Sequence, residues 1–372
     1  MNVGLADADR HDFAVIVSEV PATACGVFTR SRFAGPSVQL SRAAVARGTA
    51  RGVVVLATNA NVANGAVGLA DAVEVRQLVA DAIGVDSDHL LIASTGVIGH
   101  PYPMDRLRPA LRSLRWPFAG CDLAAAARAI MTTDTRPKLA ASRIGDATLV
   151  GIAKGVGMIE PNMATLLTYF FTDAEVPADQ LDQIFRDGID RTFNALSIDT
   201  DTSTSDSAAV FANGLAGPVP QAEFASTLHT VALQLVRQIA SDGEGATTVI
   251  EVRITSARNN AQAKRVGKKI VNSPLVKTMV HGRDPNWGRV AMAIGKCDQD
   301  DDIDQRRVRI GFGDIEIYPR RPDTAALARV TDHLAGETVL IWADLGIATG
   351  TFTVYGCDLT EGYVRLNSSY TT

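Results

Sequence analysis

The chain has 372 residues, of which 46% are hydrophobic, and its formal net charge is −5 at pH 7. This length and hydrophobic content predict a large buried core, organised as two domains or as one large α/β unit. The weak negative charge argues against a nucleic-acid surface, which needs clustered lysines and arginines. No apolar stretch reaches the roughly 18 residues that would span a bilayer.

The first part of the chain alternates strand-like apolar runs with helical periodicity. Buried strands are predicted over residues 53–58 and 90–93, and helices over residues 70–83, 104–114 and 123–131. This alternation predicts an α/β fold.

The remaining elements continue the same alternation. Residues 148–153 and 164–172 form two predicted strands joined by a turn with glycine and proline, and a helix over residues 178–191 follows Pro177. Further predicted elements are helices over 223–241 and 323–334, a strand over 248–255 and strand-rich stretches over 308–318 and 338–355.

The four cysteines and six histidines do not have the spacing of a metal site. There is no C-x-x-C pair and no H-x-x-H or H-E-x-x-H motif. The start of the chain also has no features of a secretion signal. We therefore expect a cytoplasmic protein with reduced thiols, no metal and no cofactor, and neither nucleic acid nor membrane among its partners.

Thr165 begins a predicted strand directly after a glycine-rich segment. Gly155 and Gly157 permit unusual dihedrals and Pro161 restricts its own φ, so the segment can hold a strained carbonyl for attack by the Thr165 hydroxyl. If the Ala164–Thr165 bond breaks, Thr165 gains a free α-amino group that can act as its base, because such amines titrate at about 7.7–8.0. From pattern alone, such a threonine is most often a strand residue chosen for β-propensity.

The loop over residues 94–99 follows a predicted strand, where site loops are common in α/β proteins. A plain tight turn explains it most simply. In the functional interpretation, the Thr95 hydroxyl and the Gly96 backbone N–H donate hydrogen bonds to a developing oxyanion.

Three other polar segments are candidates for the site. Residues 198–206 lack the glycine and terminal glutamate of a calcium loop, so they predict a hydrogen-bonded turn beside the site. Glu244 lies between two glycines after a predicted helix, where its carboxylate can reach a substrate ammonium group. The polar residues 365–372 predict a frayed terminus.

Together these segments resemble the ornithine acetyltransferase family, the bifunctional glutamate N-acetyltransferases of arginine biosynthesis. The resemblance covers nearly the whole chain, through residues 94–96, 132–135, 154–158, 161–165, 242–245, 273–278, 284–289 and 367–372. It implies a self-cleaving layered α/β sandwich of the N-terminal-nucleophile type, similar to the β-peptidyl aminopeptidases. The implied cut at Ala164–Thr165 gives an α chain, residues 1–164 with the oxyanion-hole loop, and a β chain, residues 165–372 with a substrate-binding tail.

The resemblance also implies a role for each site residue. Thr165 takes the acetyl group from N2-acetyl-L-ornithine, Thr95 and Gly96 form the oxyanion hole, and L-glutamate then attacks the acetyl-threonine ester in a ping-pong reaction. Lys154 suits a substrate carboxylate and Glu244 suits an amino group. The other implied substrate contacts are Thr133, with Thr132 as the alternative, Asn367 and Thr372. The implied assembly is an α2β2 heterotetramer.

Two positions depart from the pattern of the arginine-pathway members. Glu160 stands where they tend to have a small residue, and His281 where they tend to have phenylalanine. Both features resemble paralogues from clavulanic acid-type gene clusters, so an acetyltransferase of antibiotic biosynthesis with another acceptor is one alternative. A second is a self-processed amidohydrolase or aminopeptidase that uses water as acceptor. A third is a non-catalytic binding protein, which predicts an uncut chain.

Overall fold

The computed structural model describes residues 1–7, 9–118, 122–160 and 166–369. Within these ranges the chain forms two β-sheets covered by helices. The first sheet contains β1 (Phe13–Phe28), β2 (Thr49–Leu56), β3 (Leu90–Ser94), β4 (Lys138–Ile144), β5 (Ala147–Lys154), β6 (Leu167–Glu175) and β7 (Ser207–Pro218). The second contains β8 (Val249–Ala257), β9 (Arg309–Phe312), β10 (Ile315–Tyr318), β11 (Thr338–Asp344) and β12 (Gly350–Cys357).

The helices precede, connect and follow these strands. They are α1 (Pro36–Val45), α2 (Gly65–Ile83), α3 (Met104–Arg112), α4 (Leu123–Ala129), α5 (Ala178–Arg191), α6 (Gln221–Ala240), α7 (Asn260–Val271), α8 (Pro274–His281), α9 (Gly288–Gly295), α10 (Thr324–Leu334) and α11 (Glu361–Ser369).

The first sheet has the strand order β3-β2-β1-β7-β6-β5-β4. β2 runs parallel to β3 and β6 runs parallel to β7, while the other neighbours are antiparallel. β6 and β7 follow Thr165 in the sequence, yet they lie between β1 and β5, which precede it. Both sides of the predicted cut therefore build one sheet.

Helices cover both faces of this sheet at β2. Val53 and Val55 pack in one cluster with Ala44 of α1, whereas Val54 and Leu56 pack in another with α2. A strand buried on both faces is apolar at successive positions instead of alternating, which is the pattern that predicted it from the sequence.

The helix α5 illustrates how local sequence and packing agree. It begins after Pro177 and buries Leu181, Ile184, Phe185 and Ile189, which lie on one face at helical spacing. This face packs on β1, while α6 packs on β4 and β5 and also contacts β8 and β12. The helix α6 thereby joins the two sheets through one continuous core.

The second sheet is formed entirely from residues that follow Thr165. Its strand order is β10-β9-β11-β8-β12, with β11 parallel to β8, and α7 packs on β8 and β12. Among the described helices, none combines the length and the apolar character that crossing a membrane requires. Cys25, Cys297 and Cys357 are buried free thiols, while Cys121 lies outside the described residues.

The predicted helices and strands correspond to observed ones, with ends that differ by a few residues, and each strand-rich stretch contains two strands, β9 with β10 and β11 with β12. The predicted strand over 164–172 starts at Leu167 in the structure, and its first two positions lie outside the described residues. The prediction of a frayed C-terminus is wrong for residues up to 369, because Glu361–Ser369 form α11. The sequence pattern does not predict β1, β4, β7, α1, α7, α8, α9 or α11.

Candidate active site

A cavity of about 420 Å³ opens beside the carboxyl ends of β3 and β5. It brings together every predicted site residue that the structure describes: Thr95, Gly96, Thr133, Lys154, Glu244 and Asn367. The predicted nucleophile Thr165, the cleavage partner Ala164 and the tail residue Thr372 lie outside the described residues. Leu166, which directly follows Thr165, lines a smaller inner pocket that shares Thr95 and Lys154 with the cavity.

Backbone geometry explains why the loop after β3 carries a glycine. Gly96 has φ +128°, and a Cβ there would lie 2.1 Å from the carbonyl carbon of Thr58. The loop is held in place because Thr95 N–H donates to Leu56 O at 3.0 Å and Val97 N–H donates to Thr58 O at 3.1 Å. Neither the Gly96 N–H nor the Thr95 hydroxyl donates to another described residue, so both can serve an oxyanion in the cavity.

Lys154 ends β5 and supplies a cation to the cavity. Its Nζ donates to Thr132 Oγ1 at 3.0 Å. Burial lowers the pKa of Lys154, and the carboxylate of Asp134 only partly opposes this effect. A partly desolvated ammonium group is suited to pair with a substrate carboxylate.

Glu244 is clamped by residues from distant parts of the chain. Its Oε1 accepts from Thr133 Oγ1 at 3.0 Å, its Oε2 accepts from Asn367 Nδ2 at 2.8 Å, and its backbone N–H donates to Val156 O at 2.8 Å. A Cβ on Gly157 would lie 2.5 Å from Oε2, so this glycine leaves the space that the carboxylate fills. Thr132 and Thr133 both line the cavity, the first bonded to Lys154 and the second to Glu244.

A buried ion cluster beneath the cavity was missed from the sequence. Lys138 Nζ donates to Asp134 Oδ1 and to Asp242 Oδ2, each at 2.6 Å, and all three side chains are almost fully buried. Asp134 Oδ1 also accepts from Gly155 N–H at 2.8 Å. The cluster thus ties the segment after β5 to the turn that carries Glu244. Asp134 and Asp242 lie within motifs noted in the sequence, but nothing local to Lys138 indicated a buried lysine.

Residues 198–206 form the hydrogen-bonded turn beside the site that the sequence predicts. Asp199 accepts from the N–H groups of Met158 and Ile159 at 2.6 and 2.8 Å, which fixes the glycine-rich segment. Asp201 and Thr202 also line the cavity. Asp199 and Asp201 therefore add two carboxyl groups to the lining of the cavity.

The helix α11 brings the C-terminal part of the chain to the cavity through Tyr363 and Asn367. It approaches the Glu244 turn closely, since a Cβ on Gly245 would lie 2.4 Å from Tyr363 N. Thr360 Oγ1 donates to Gly245 O at 2.6 Å and secures the start of the helix. A polar segment that looks frayed by composition is therefore ordered by contacts with distant residues.

The two unusual residues noted in the sequence lie outside the cavity. Glu160 accepts from Asn272 Nδ2 at 2.7 Å, and its Oε1 lies 3.9 Å from Lys268 Nζ. His281 Nδ1 lies 3.2 Å from the carboxylate of Asp358, below the start of α11. Both side chains have packing and hydrogen-bonding partners of their own.

Comparison with known proteins assigns this chain to a family. The ArgJ family model matches residues 1–372. Glutamate N-acetyltransferase Oat2 from Streptomyces clavuligerus is 64% identical over 375 residues, covering 100% of this chain and 95% of the relative. The arginine biosynthesis bifunctional protein ArgJ from Thermus thermophilus is 42% identical, with 99% and 96% of the two chains covered.

A crystal structure supports the same assignment. The arginine biosynthesis bifunctional protein argJ from Bacillus halodurans is 38% identical and aligns with a TM-score of 0.50, covering 53% of this chain and 96% of that chain. The protein is an acyltransferase with a mixed α/β layered sandwich fold. The chain belongs to the ArgJ family, which confirms the family resemblance and the fold class predicted from the sequence.

Proposed function

We propose that this protein transfers acetyl from N2-acetyl-L-ornithine to L-glutamate, as a glutamate N-acetyltransferase of arginine biosynthesis. The names of the relatives support this reaction. The observation that carries it is the cavity, where the free donors Thr95 and Gly96 face the same space as Lys154 and Glu244. Leu166 lines the inner pocket, and Thr165 directly precedes it in the sequence.

The proposed chemistry begins with cleavage between Ala164 and Thr165. The freed α-amino group of Thr165 accepts the proton of its own hydroxyl, and Oγ attacks the acetyl carbonyl of the donor. Thr95 and Gly96 donate to the oxyanion, the C–N bond breaks, and ornithine leaves with a proton on its nitrogen. The amine of glutamate then attacks the acetyl-threonine ester, which regenerates the hydroxyl.

Charge complementarity supports amino acids as substrates. Lys154 suits an α-carboxylate, while Glu244 suits an ammonium group. The neighbouring acidic groups of Asp199 and Asp201 favour the cationic side chain of the donor. Thr133 and Asn367 orient Glu244, and Thr372 is a further proposed substrate contact.

The pathway and assembly are part of the same proposal. Glu160 and His281 are the features that suggested an antibiotic-type paralogue, and neither lines the cavity, so they supply no reason for a different acceptor. We therefore propose L-glutamate as the acceptor. The working form is proposed to be an α2β2 heterotetramer of cleaved chains in the cytoplasm.

Incubation with N-acetylornithine and labelled glutamate tests the proposal. We expect labelled N-acetylglutamate from the wild type and none from Thr165→Ala, which keeps the fold but remains one uncut chain. Thr230→Ala, at an exposed position of α6, is the matched control and should behave as the wild type. Acetate released at the same rate with or without glutamate would instead establish a hydrolase.

A further inference from the structure

Asp206 lies between the end of β1 and the start of β6, the strand that follows the predicted cut. It directly precedes β7, and its carbonyl accepts from Thr29 N–H, at the end of β1, at 3.0 Å. The next residue, Ser207, donates its N–H to Leu166 O at 2.9 Å. Asp206 is thus held against the residue that follows Thr165, and it is 1% exposed.

The carboxyl group of Asp206 faces the inner pocket and is not fully hydrogen-bonded. The hydroxyl of Ser203 and the backbone N–H of Leu166 lie beside it, whereas the Thr29 hydroxyl donates to Ser203 O at 2.7 Å. Its Oδ2 is buried without a hydrogen-bond partner among the described residues. Buried carboxylate oxygens rarely lack a partner, so an unsatisfied one that borders a pocket indicates a role there. The pocket, about 20 Å³, has room for roughly one water molecule.

The surroundings of Asp206 favour a protonated carboxyl. Burial raises the pKa of Asp206 well above its ordinary value, and the nearby hydrogen-bond donors oppose this only in part. The ammonium group of Lys154, at the end of β5, likewise lowers the pKa of Asp206. The carboxyl therefore retains its proton at pH values where an ordinary aspartate has lost it.

We propose that Asp206 is the proton carrier for cleavage of the Ala164–Thr165 bond. The inference rests on the proposed function, because it requires that cut. The nitrogen of Leu166, whose N–H is directed toward the Asp206 carboxyl, is linked to the nitrogen of Thr165 through only two intervening carbon atoms. Covalent geometry alone therefore limits the separation of these two nitrogens, which is the basis for assigning the proton transfer to Asp206.

The proposed cleavage needs no reagent other than water. The Thr165 Oγ forms a bond to the carbonyl carbon of Ala164, and the C–N bond to Thr165 breaks. Asp206 gives its proton to the departing nitrogen and takes the proton of the hydroxyl, so it ends in its initial state. Water then opens the resulting ester, which leaves a carboxylate on Ala164, restores the Thr165 hydroxyl and places the released proton on the new α-amino group.

Cleavage kinetics of freshly synthesised precursor test the role of Asp206. Full-length chain is made by cell-free synthesis, and the appearance of two pieces is followed on denaturing gels across a pH series. The wild-type rate should fall as pH rises through the raised pKa of Asp206. Asp206→Asn, nearly isosteric but unable to carry a proton, should cleave at least about a hundredfold more slowly and without that pH dependence.

Asp300→Asn is the matched control, because it removes a buried carboxylate that pairs with Arg265 and Arg258 far along the chain from the pocket. It should cleave as fast as the wild type. If Asp206→Asn does not fold, Ser203→Ala removes the hydroxyl beside the carboxyl and should move the falling limb of the pH profile to higher pH.

The outcomes separate this inference from the function on which it rests. Wild-type precursor that stays uncut at every pH would contradict the proposed function itself. Two results would overturn the role of Asp206 alone, provided that the wild type is cut. One is cleavage of Asp206→Asn at the wild-type rate, and the other is an unmoved falling limb in the pH profile of Ser203→Ala.

Discussion

Lys154 and Leu167 are paired across the antiparallel ladder between β5 and β6. The connection that contains the proposed cut therefore begins and ends at the same point of one sheet. After cleavage, β6 and β7 would still be hydrogen-bonded to β5 on one side and to β1 on the other.

We therefore predict that the two pieces remain associated in the absence of denaturant. Separation would break both ladders and expose the buried apolar residues of β6 and β7 to water. Size-exclusion chromatography should give one species that contains both pieces, and denaturing electrophoresis should resolve them. Elution of the two pieces as separate folded species would contradict this prediction.

The hydroxyl of Thr95 should contribute to the transition state and not to the fold. Thr95→Val removes the donor while keeping the β-branched shape, so we expect kcat to fall about 10²- to 10³-fold with little change in Tm. Thr95→Ser keeps the hydroxyl and is the matched control, with activity close to the wild type. Equal kcat values for the valine and serine variants would remove Thr95 from the oxyanion hole.

Gly157→Ala should displace the carboxylate of Glu244 without straining the backbone. The new Cβ would lie 2.5 Å from Oε2, which breaks the hydrogen bond from Asn367. We expect KM for N-acetylornithine to rise about tenfold, which corresponds to about 1.4 kcal/mol and to the loss of one hydrogen bond to a charged group. Gly295→Ala, where a Cβ meets open space, should leave KM unchanged. An unaltered KM for Gly157→Ala would show that Glu244 does not bind substrate.

The ion cluster around Lys138 predicts a pH-dependent stability. Burial alone would raise the pKa of Asp134, but Lys154, Lys138 and the Gly155 N–H outweigh it and lower the pKa. A carboxylate with a lowered pKa stabilises the fold above its unfolded pKa of about 3.9, and this stabilisation is lost as pH falls through the folded pKa.

Thermal unfolding of Asp134→Asn at several pH values checks this expectation. Near neutral pH the variant should be less stable by about 3–5 kcal/mol, because Lys138 loses a buried partner. The difference in Tm should narrow below about pH 4. Asp314→Asn removes an exposed partner of Arg329 and should show no such trend. A constant difference across the series would exclude Asp134 as the titrating group.

Local pattern predicted those elements whose burial is periodic or continuous. The helix α5 was predicted at its observed bounds because Pro177 marks its start and its apolar residues repeat at helical spacing. By contrast, β1 was missed because Ser18, Glu19 and Pro21 interrupt its pattern at a bulge. Such an irregular strand is recognisable only once its neighbours β2 and β7 pair with it.

Short sequence motifs indicated the residues of the site, but they did not indicate the buried residues that surround them. Thr95, Gly96, Lys154 and Glu244 stand in segments whose glycines and polar groups already indicated a site. Asp206 belonged to a turn expected beside the site, and only its burial against Leu166 distinguishes its carboxyl from others in that turn.

The sequence by itself determined the fold class, the family and the residue types that meet in the cavity, because periodic burial and ordered motifs are local properties of the chain. Only the tertiary structure decided that α11 is ordered, that Lys138 is buried between two aspartates, and that β6 and β7 lie inside the sheet. Each of these depends on contacts between residues far apart in sequence, whose energies no single segment encodes.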